Sequence, residues 1–361
     1  MSVLKLEYEI LISGIYPFEG AFEKQGFTIT KNTIDDKLID LLTKESVIYL
    51  SPLMGMCCYP NSVGVPEYLT FRKDELIEIE YGDNKDYDIA VTNHYLESLN
   101  LFEIVDTLEK AMVLEINNDI KFPIKMVKAY DANGKFITLL ANFMKLNIPS
   151  LLSADQTKAN EVIKRQNNRL STTIEYAKVI ELASNNNHFK NALSMYQAAF
   201  SVSDHNVGFT LLVIAMESLL GLATYAKPET CESCGQKKYL ITATISENVS
   251  LLLMDKDEVI KKRIRQLYSV RSKFVHSGIE VMKNDEQELQ EYVRKVLLMY
   301  WFVSMYIKSF DHQSIIAEIQ SIKYKDNLMY KNYLTGLDNT TFEEKRTKML
   351  SDTLVQIFGK A

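Results

Sequence analysis

The sequence predicts an α+β N-terminal domain followed by an all-α helical bundle, and three observations carry that prediction. Near the start, Leu4, Leu6, Tyr8, Ile10 and Ile12 alternate with other residues at period two, the pattern of a half-buried strand. Short strand-like pieces of the same kind recur through roughly the first 150 residues, with two helical patterns between them. From about Ala154 onward the alternation stops, and apolar residues return at the spacing of successive amphipathic helices.

Composition bounds what such a chain does. At 361 residues it exceeds the usual single-domain size, so two domains are expected. Apolar residues at 47% and charged residues at 24% suit a protein with a substantial core. A net charge of −6 excludes a globally basic nucleic-acid binder but leaves room for a local basic cleft. The start, MSVLKLEYEILIS, has no continuous apolar signal core, and FTLLVIAMESLLGLA and VLLMYWFVSMYI are too short or interrupted to span a bilayer. Four cysteines, at 57, 58, 231 and 234, then read as reduced thiols of a soluble cytoplasmic protein with no membrane partner.

The strand-like pieces are FTIT, SVIYLS, EYLTFR, ELIEIEY and DIAVT; the helical patterns are IDDKLIDLLT and YLESLNLFEIVDTLEKAM. KMVKAYDANGKFITLLANF predicts a hairpin, with Asn133-Gly134 able to take the positive φ angles of a tight turn. A domain boundary is expected near residues 148–156, giving an α+β domain over 1–152, a bundle over 153–312 and a helical extension over 313–361. Bundle helices are expected at 155–184, 187–202, 205–224, 238–253, 256–276 and 286–310. Asp255 with Glu258, and Thr340 with Glu343, have capping-box spacing.

The helix over 256–276 carries the chemistry. At about 100° per residue, Ile260, Ile264, Leu267, Phe274 and Val275 form one stripe, with Arg271 near its middle. Either Arg271 is buried against a carboxylate, or the stripe flanks a cleft or dimer seam where the guanidinium awaits a phosphate. Gly278 suits the left-handed position that ends a helix, which puts His276 in the last turn. There the macrodipole favours a cationic side chain while a nearby arginine opposes it. Residues five apart point about 140° away from each other, so one helix does not simply converge Arg271 and His276 on one atom; a symmetric partner would supply second copies.

The run LYSVRSKFVHSG resembles the signature of the HEPN superfamily, particularly its Apea-like branch. The matching positions are Tyr268, Arg271, Ser272 and His276 with Gly278 behind, and the upstream IAMESLL supplies Glu217. The resemblance covers the helical half only. It implies a HEPN-like bundle acting as a metal-independent endoribonuclease, a homodimer whose paired motifs line one cleft, in antiviral defence or toxin-like growth arrest. It implies Arg271, His276 and Ser272 as catalytic, with Tyr268, Glu217 and Lys273 supporting. The chemistry is coherent: RNA brings its own nucleophile in the 2′-hydroxyl, a histidine moves its proton, and an arginine steadies the charge on phosphate. Lys261, Lys262, Arg263 and Arg265 make the segment locally basic, as an RNA-tracking groove requires.

Plainer readings stand beside these. His276 is otherwise a helix-terminal histidine facing carbonyls, Arg271 an ion-pair partner of Glu217, Tyr268 core edge, and residues 261–265 a solvated face. Cys231 and Cys234 have the look of one zinc knuckle, half of a structural zinc site; no cofactor is otherwise expected. His94, His188, His205 and His312 show no metal-ligand spacing, and His205 reads as structural beside Asp204. No Gly-rich phosphate loop or nucleophile elbow occurs. From a different class comes the alternative of a non-catalytic nucleotide- or protein-binding module, a dimeric sensor with the trigger ligand or protein at the N-terminal domain.

Overall fold

The structure is a computed structural model. It describes residues 2–13, 21–24, 27–33, 59–60, 66–79, 92, 96, 101–116, 121–143, 174–221, 229–230, 237–238, 241–324, 327–338 and 343–358. Two compact units divide the chain, Met1–Glu109 with Ile120–Ser171, and Lys110–Asp119 with Thr172–Ala361. The expected SVIYLS strand, the IDDKLIDLLT helix, DIAVT apart from Thr92, the boundary at 148–156, residues 155–173 and the Thr340 cap lie outside the described residues.

The first unit is built on one antiparallel sheet. Its strands are β1 (Ser2–Ser13), β2 (Ala21–Lys24), β3 (Phe27–Thr33), β4 (Tyr59–Pro60), β5 (Pro66–Ile79), β6 (Lys121–Tyr130) and β7 (Phe136–Phe143), in the order β2-β3-β5-β1-β6-β7 with β4 beside β5. EYLTFR and ELIEIEY, expected as two strands, are one: the charged run Arg72–Glu75 sits mid-strand, carried across by its pairing with Leu6–Glu9 of β1. The period-two pattern of β1 does what it predicts, burying Leu4, Leu6, Tyr8 and Ile10. Val127 and Ala129 of β6, opposite Tyr8 and Leu6, are buried with them. Lys125, opposite Ile10, is buried too and is tolerated because Asp106 and Glu109 pair with it. The β6–β7 hairpin forms, but its loop is wider than an Asn-Gly turn. Asp131 accepts the N–H groups of Asn133 and Lys135 at 2.8 Å each, and of the two central residues only Gly134, at φ 78°, is left-handed.

In the second unit the elements are the last part of α1 (Leu101–Ile116), then α2 (Tyr176–Asn185), α3 (Asn187–Ser201), α4 (His205–Leu220), α5 (Ile241–Leu252), α6 (Val259–Ser277), α7 (Lys283–Ile307), α8 (His312–Ser321), α9 (Leu328–Asp338) and α10 (Glu343–Phe358). This unit differs from the sequence expectation in three respects. The segment 110–119 belongs here and not to the N-terminal domain: Arg294, 2% exposed, donates to the carbonyls of Leu114 and Glu115 at 3.0 and 3.2 Å, and the Tyr176 hydroxyl bonds the Glu115 carboxylate. The unit is also not wholly helical. β8 (Glu229–Thr230) pairs antiparallel with β9 (Lys237–Lys238), strands too short to show any period.

α7 is the axis of the unit. All ten residues from Val296 to Met305 are buried, so this stretch is covered on every side. Residues 312–358 are part of that cover, not a separate extension: Tyr333 stacks on Phe302 at 4.1 Å, and Phe358 lies against Trp301 at 6.3 Å. Among the described residues no helix is long and apolar enough to cross a membrane.

Candidate functional site

α6 is set at both ends by backbone chemistry. Before it, Met254 at φ 51° closes α5, its N–H bonding Leu251 O and that of Asp255 bonding Ser250 O. Asp255 then caps α6 from a distance, its carboxylate accepting the N–H groups of Val259 at 3.1 Å and Lys261 at 3.0 Å. The expected capping box is not made. Glu258 occupies the cap position at φ 55° with no capping bond, and its carboxylate goes to Lys261. At the far end Gly278, at φ 66°, closes the helix through its N–H to Phe274 O at 2.9 Å, which leaves His276 in the last turn as the spacing predicts.

The short connection after Gly278 is pinned to the start of α4. Val281 is buried, its N–H held by Asn206 Oδ1 at 2.8 Å and its carbonyl by His205 Nε2 at 2.9 Å. His205 is therefore structural, and the end of α6 is fixed against α4 despite being at the surface.

The apolar stripe of α6 runs out of cover toward this end. Ile264, Leu267 and Tyr268 are buried, Arg271 and Phe274 half-buried, and Val275, expected inside, is 49% exposed. Arg271 sits where cover begins to fail. Its Nε is shielded from solvent without a hydrogen-bond partner, and no ion pair joins it to Glu217 among the described residues. Glu217, Tyr268 and Arg271 are nonetheless electrostatic neighbours. Burial first, and the Glu217 carboxylate second, push the Tyr268 hydroxyl well above its ordinary range, with Arg271 pulling the other way. That hydroxyl stays protonated, and it too is buried without a partner.

Ser272, Lys273 and His276 are exposed on the same end of the helix. The connection that follows in sequence exposes apolar side chains: Ile279 is 56% and Met282 73% exposed. The structure brings Tyr268, Arg271 and Glu217 together, and it leaves His276 on the surface beyond them.

The basic residues divide. Arg263 is clasped by Asp285 and Glu288, each 2.6 Å from Nη2, and these carboxylates hold its guanidinium even more firmly protonated than usual. Lys261 lies between Glu247 at 2.6 Å and Glu258 at 2.9 Å, which raise its pKa. Arg265 Nε bonds Ser246 Oγ at 3.1 Å and is otherwise exposed, as is Lys262.

Cys231 and Cys234 lie outside the described residues, although the Thr230–Lys237 pairing draws the two ends of their loop together. Among the described residues no group of three or more His, Cys, Asp and Glu side chains is placed to hold a metal ion. One cluster has no signature in the sequence. His188 and His312 stack at 3.9 Å, Tyr300 OH meets His312 Nδ1 at 2.8 Å, and Asn186 donates to Tyr300 at 3.0 Å. The two histidines are 124 positions apart, so no spacing rule finds them.

Comparison of the chain with protein-family models, with curated proteins and with solved structures gives no match.

Proposed function

We propose that the helical unit is a HEPN-type endoribonuclease whose site is the C-terminal end of α6. One observation carries the reading: Arg271 is held half-buried beside Tyr268 and Glu217 without an ion pair among the described residues, at the same helix end as exposed His276. A half-shielded guanidinium without a counter-ion is costly unless an anion arrives to meet it. An RNA phosphodiester is that anion. Arg271 holds its non-bridging oxygens as charge grows on them, His276 takes the proton of the neighbouring 2′-hydroxyl as it attacks phosphorus, and the P–O5′ bond breaks with the 5′-oxygen taking a proton from solvent. The products are a 2′,3′-cyclic phosphate and a 5′-hydroxyl end. Ser272, Lys273, Lys262 and Arg265 form the open phosphate-facing surface, whereas Arg263 and Lys261 are already taken up by carboxylates.

Arg271 and His276 diverge on one helix, so the working site is a homodimer in which two α6 ends face one cleft. Exposed Val275, Ile279 and Met282 beside His276 support that pairing, because apolar surface around a polar site favours a second copy. An unpaired Arg271 would serve a non-catalytic nucleotide-binding module as well; what favours the enzyme is His276 exposed at the same helix end, where a proton acceptor is needed.

The test is cleavage of end-labelled cellular and transfer RNA in EDTA by the wild type and by His276→Ala, each checked for folding and dimerisation. Cutting by the wild type, lost in a folded dimeric variant, is the expected result. Equal cutting by both proteins removes His276 from the mechanism. No cutting by either, with or without the N-terminal unit's trigger, turns the reading toward a binding module.

A further inference from the structure

The last turn of α6 is held from outside itself. From Val275 to Glu280 every residue is exposed, so side-chain packing does not fix that turn, His276 included. Fixing falls to its two flanks, half-buried Phe274 before it and Val281 after it. Val281 is 3% exposed, and both of its backbone groups are taken by consecutive side chains at the start of α4. Its N–H donates to Asn206 Oδ1 at 2.8 Å, and its carbonyl accepts from His205 Nε2 at 2.9 Å.

This clasp has one workable arrangement. A carbonyl only accepts, so His205 Nε2 is the donor. The buried amide of Asn206 is fixed in orientation too: Oδ1 meets an N–H, and Nδ2 donates to the Asp204 carboxylate at 3.1 Å. Turned over, it would set donor against donor and acceptor against acceptor. Asp204 is held in turn as the cap of α4, accepting the Asn206 N–H at 2.8 Å. Glu286, in the first turn of α7, leans on the same place. A Cβ on Gly208 would stand 2.6 Å from Glu286 Oε1, so the bare glycine leaves room for that carboxylate against the start of α4, beside His205.

We propose that His205 and Asn206 are positioning residues for His276, acting through Val281 and the turn at Gly278; the role presupposes the ribonuclease reading. Only residues 277–280 separate His276 from the clasp, and within them the Gly278 N–H is bonded back to Phe274. With Val281 held, this short span is tethered at both ends and the last turn keeps its helical course. With Val281 released, the turn is anchored at Phe274 alone and frays as helix ends do, spreading the imidazole over many positions. A general base works only within hydrogen-bond reach of its proton, and misplacement by about 1 Å costs up to about 100-fold. Arg271 lies more than one turn further inside and keeps its hold on phosphate, so kcat falls while KM stays.

The experiment compares the full-length wild type with His205→Ala, His205→Gln and Asn206→Ala, each folded at the assay temperature by circular dichroism. One readout is NMR of histidine-labelled protein without RNA, following the His276 ring resonance, which is assigned by its loss in His276→Ala. The other is kcat and KM for cleavage of end-labelled RNA. His205→Ala is expected to shift or broaden the His276 resonance and to lower kcat about tenfold or more, with KM within about twofold. His205→Gln keeps an amide N–H in reach of the Val281 carbonyl and is expected to restore both readouts. Asn206→Ala removes the other bond and is expected to act as His205→Ala does, which carries the test if one of the two does not fold. An unchanged His276 resonance and kcat in the alanine variants overturns the proposal, and so does a loss that His205→Gln does not repair. A wild type that cuts no RNA sinks the ribonuclease reading alone, and the NMR comparison then decides whether the clasp sets His276.

Discussion

At the N-terminal end of α6, Lys261 and Arg263 are each held by two carboxylates, whereas at the C-terminal end Arg271 has no acidic partner among the described residues and His276 faces solvent. The helix is the same, and all four side chains are basic. What differs is the supply of acid: Glu247, Asp285 and Glu288 reach the first half from α5 and α7, and no carboxylate ion-pairs with the last two turns among the described residues. Lys261 and Arg263 therefore organise the bundle, whereas Arg271 and His276 are left for something outside it.

The largest effect that tests this contrast is on activity. Arg271→Ala and His276→Ala are each expected to lower RNA cleavage at least about 100-fold, the scale of losing an acid-base group or a charge-stabilising donor. Thermal melting is expected to change little in either variant, because neither side chain has an ion-pair partner to lose among the described residues. A large drop in melting temperature for Arg271→Ala would reveal a structural partner and break the comparison.

The stacked His188–His312 pair extends the same logic to a buried group without a counter-ion in contact. His312 is pushed down to about 4, chiefly by burial and then by His188, against the weaker pull of Asp311. An unfolded histidine takes its proton near 6.5, so the unfolded chain binds more protons between the two values. The contribution to stability is complete above pH 6.5 and is lost as the pH falls to about 4. A loss on the order of 2 kcal/mol across that window is expected. Urea titrations of His312→Gln at several pH values are expected to show a flatter dependence; an unchanged slope would assign it to other groups.

Arg263→Met tests the paired end. Loss of a partly buried double ion pair is expected to cost about 1–2 kcal/mol in urea unfolding and to leave cleavage within about threefold. If cleavage fell with stability intact, the paired end would also touch substrate, and the division of labour along α6 would fail.

The smallest effect belongs to Tyr268→Phe. Removing a buried hydroxyl that bonds nothing is expected to leave stability unchanged or raise it by about 0.5–1 kcal/mol. A decrease in urea midpoint would mean the hydroxyl has a partner in solution, a bound water being the simplest.

Part of the fold and the ending of α6 were legible in the sequence, for identifiable reasons. Gly278 ends α6 because only a left-handed residue lets its N–H return to Phe274, and that preference is local. The alternation of Leu4 through Ile10 marked β1 directly. Val275 misled because a helical wheel records which side a residue takes, not how far along the helix its neighbours extend. The capping box at Asp255–Glu258 misled because spacing alone cannot tell that Glu258 would turn left-handed and give its carboxylate to Lys261. The pairing of Arg263 with Asp285 and Glu288 and the His188–His312 stack both depend on segments distant in sequence. Tertiary contact creates them, and no local pattern announces them.

The covering of Trp301 and Phe302 by Tyr333 and Phe358 has a consequence for how the protein is made. Synthesis runs from the N-terminus, so α7 leaves the ribosome before α9 and α10 exist to enclose it. Until those helices emerge, the buried stretch Val296–Met305 of α7 is bare on one side. A chain cut short after α8 is therefore a ligand for chaperones and proteases before it is anything else.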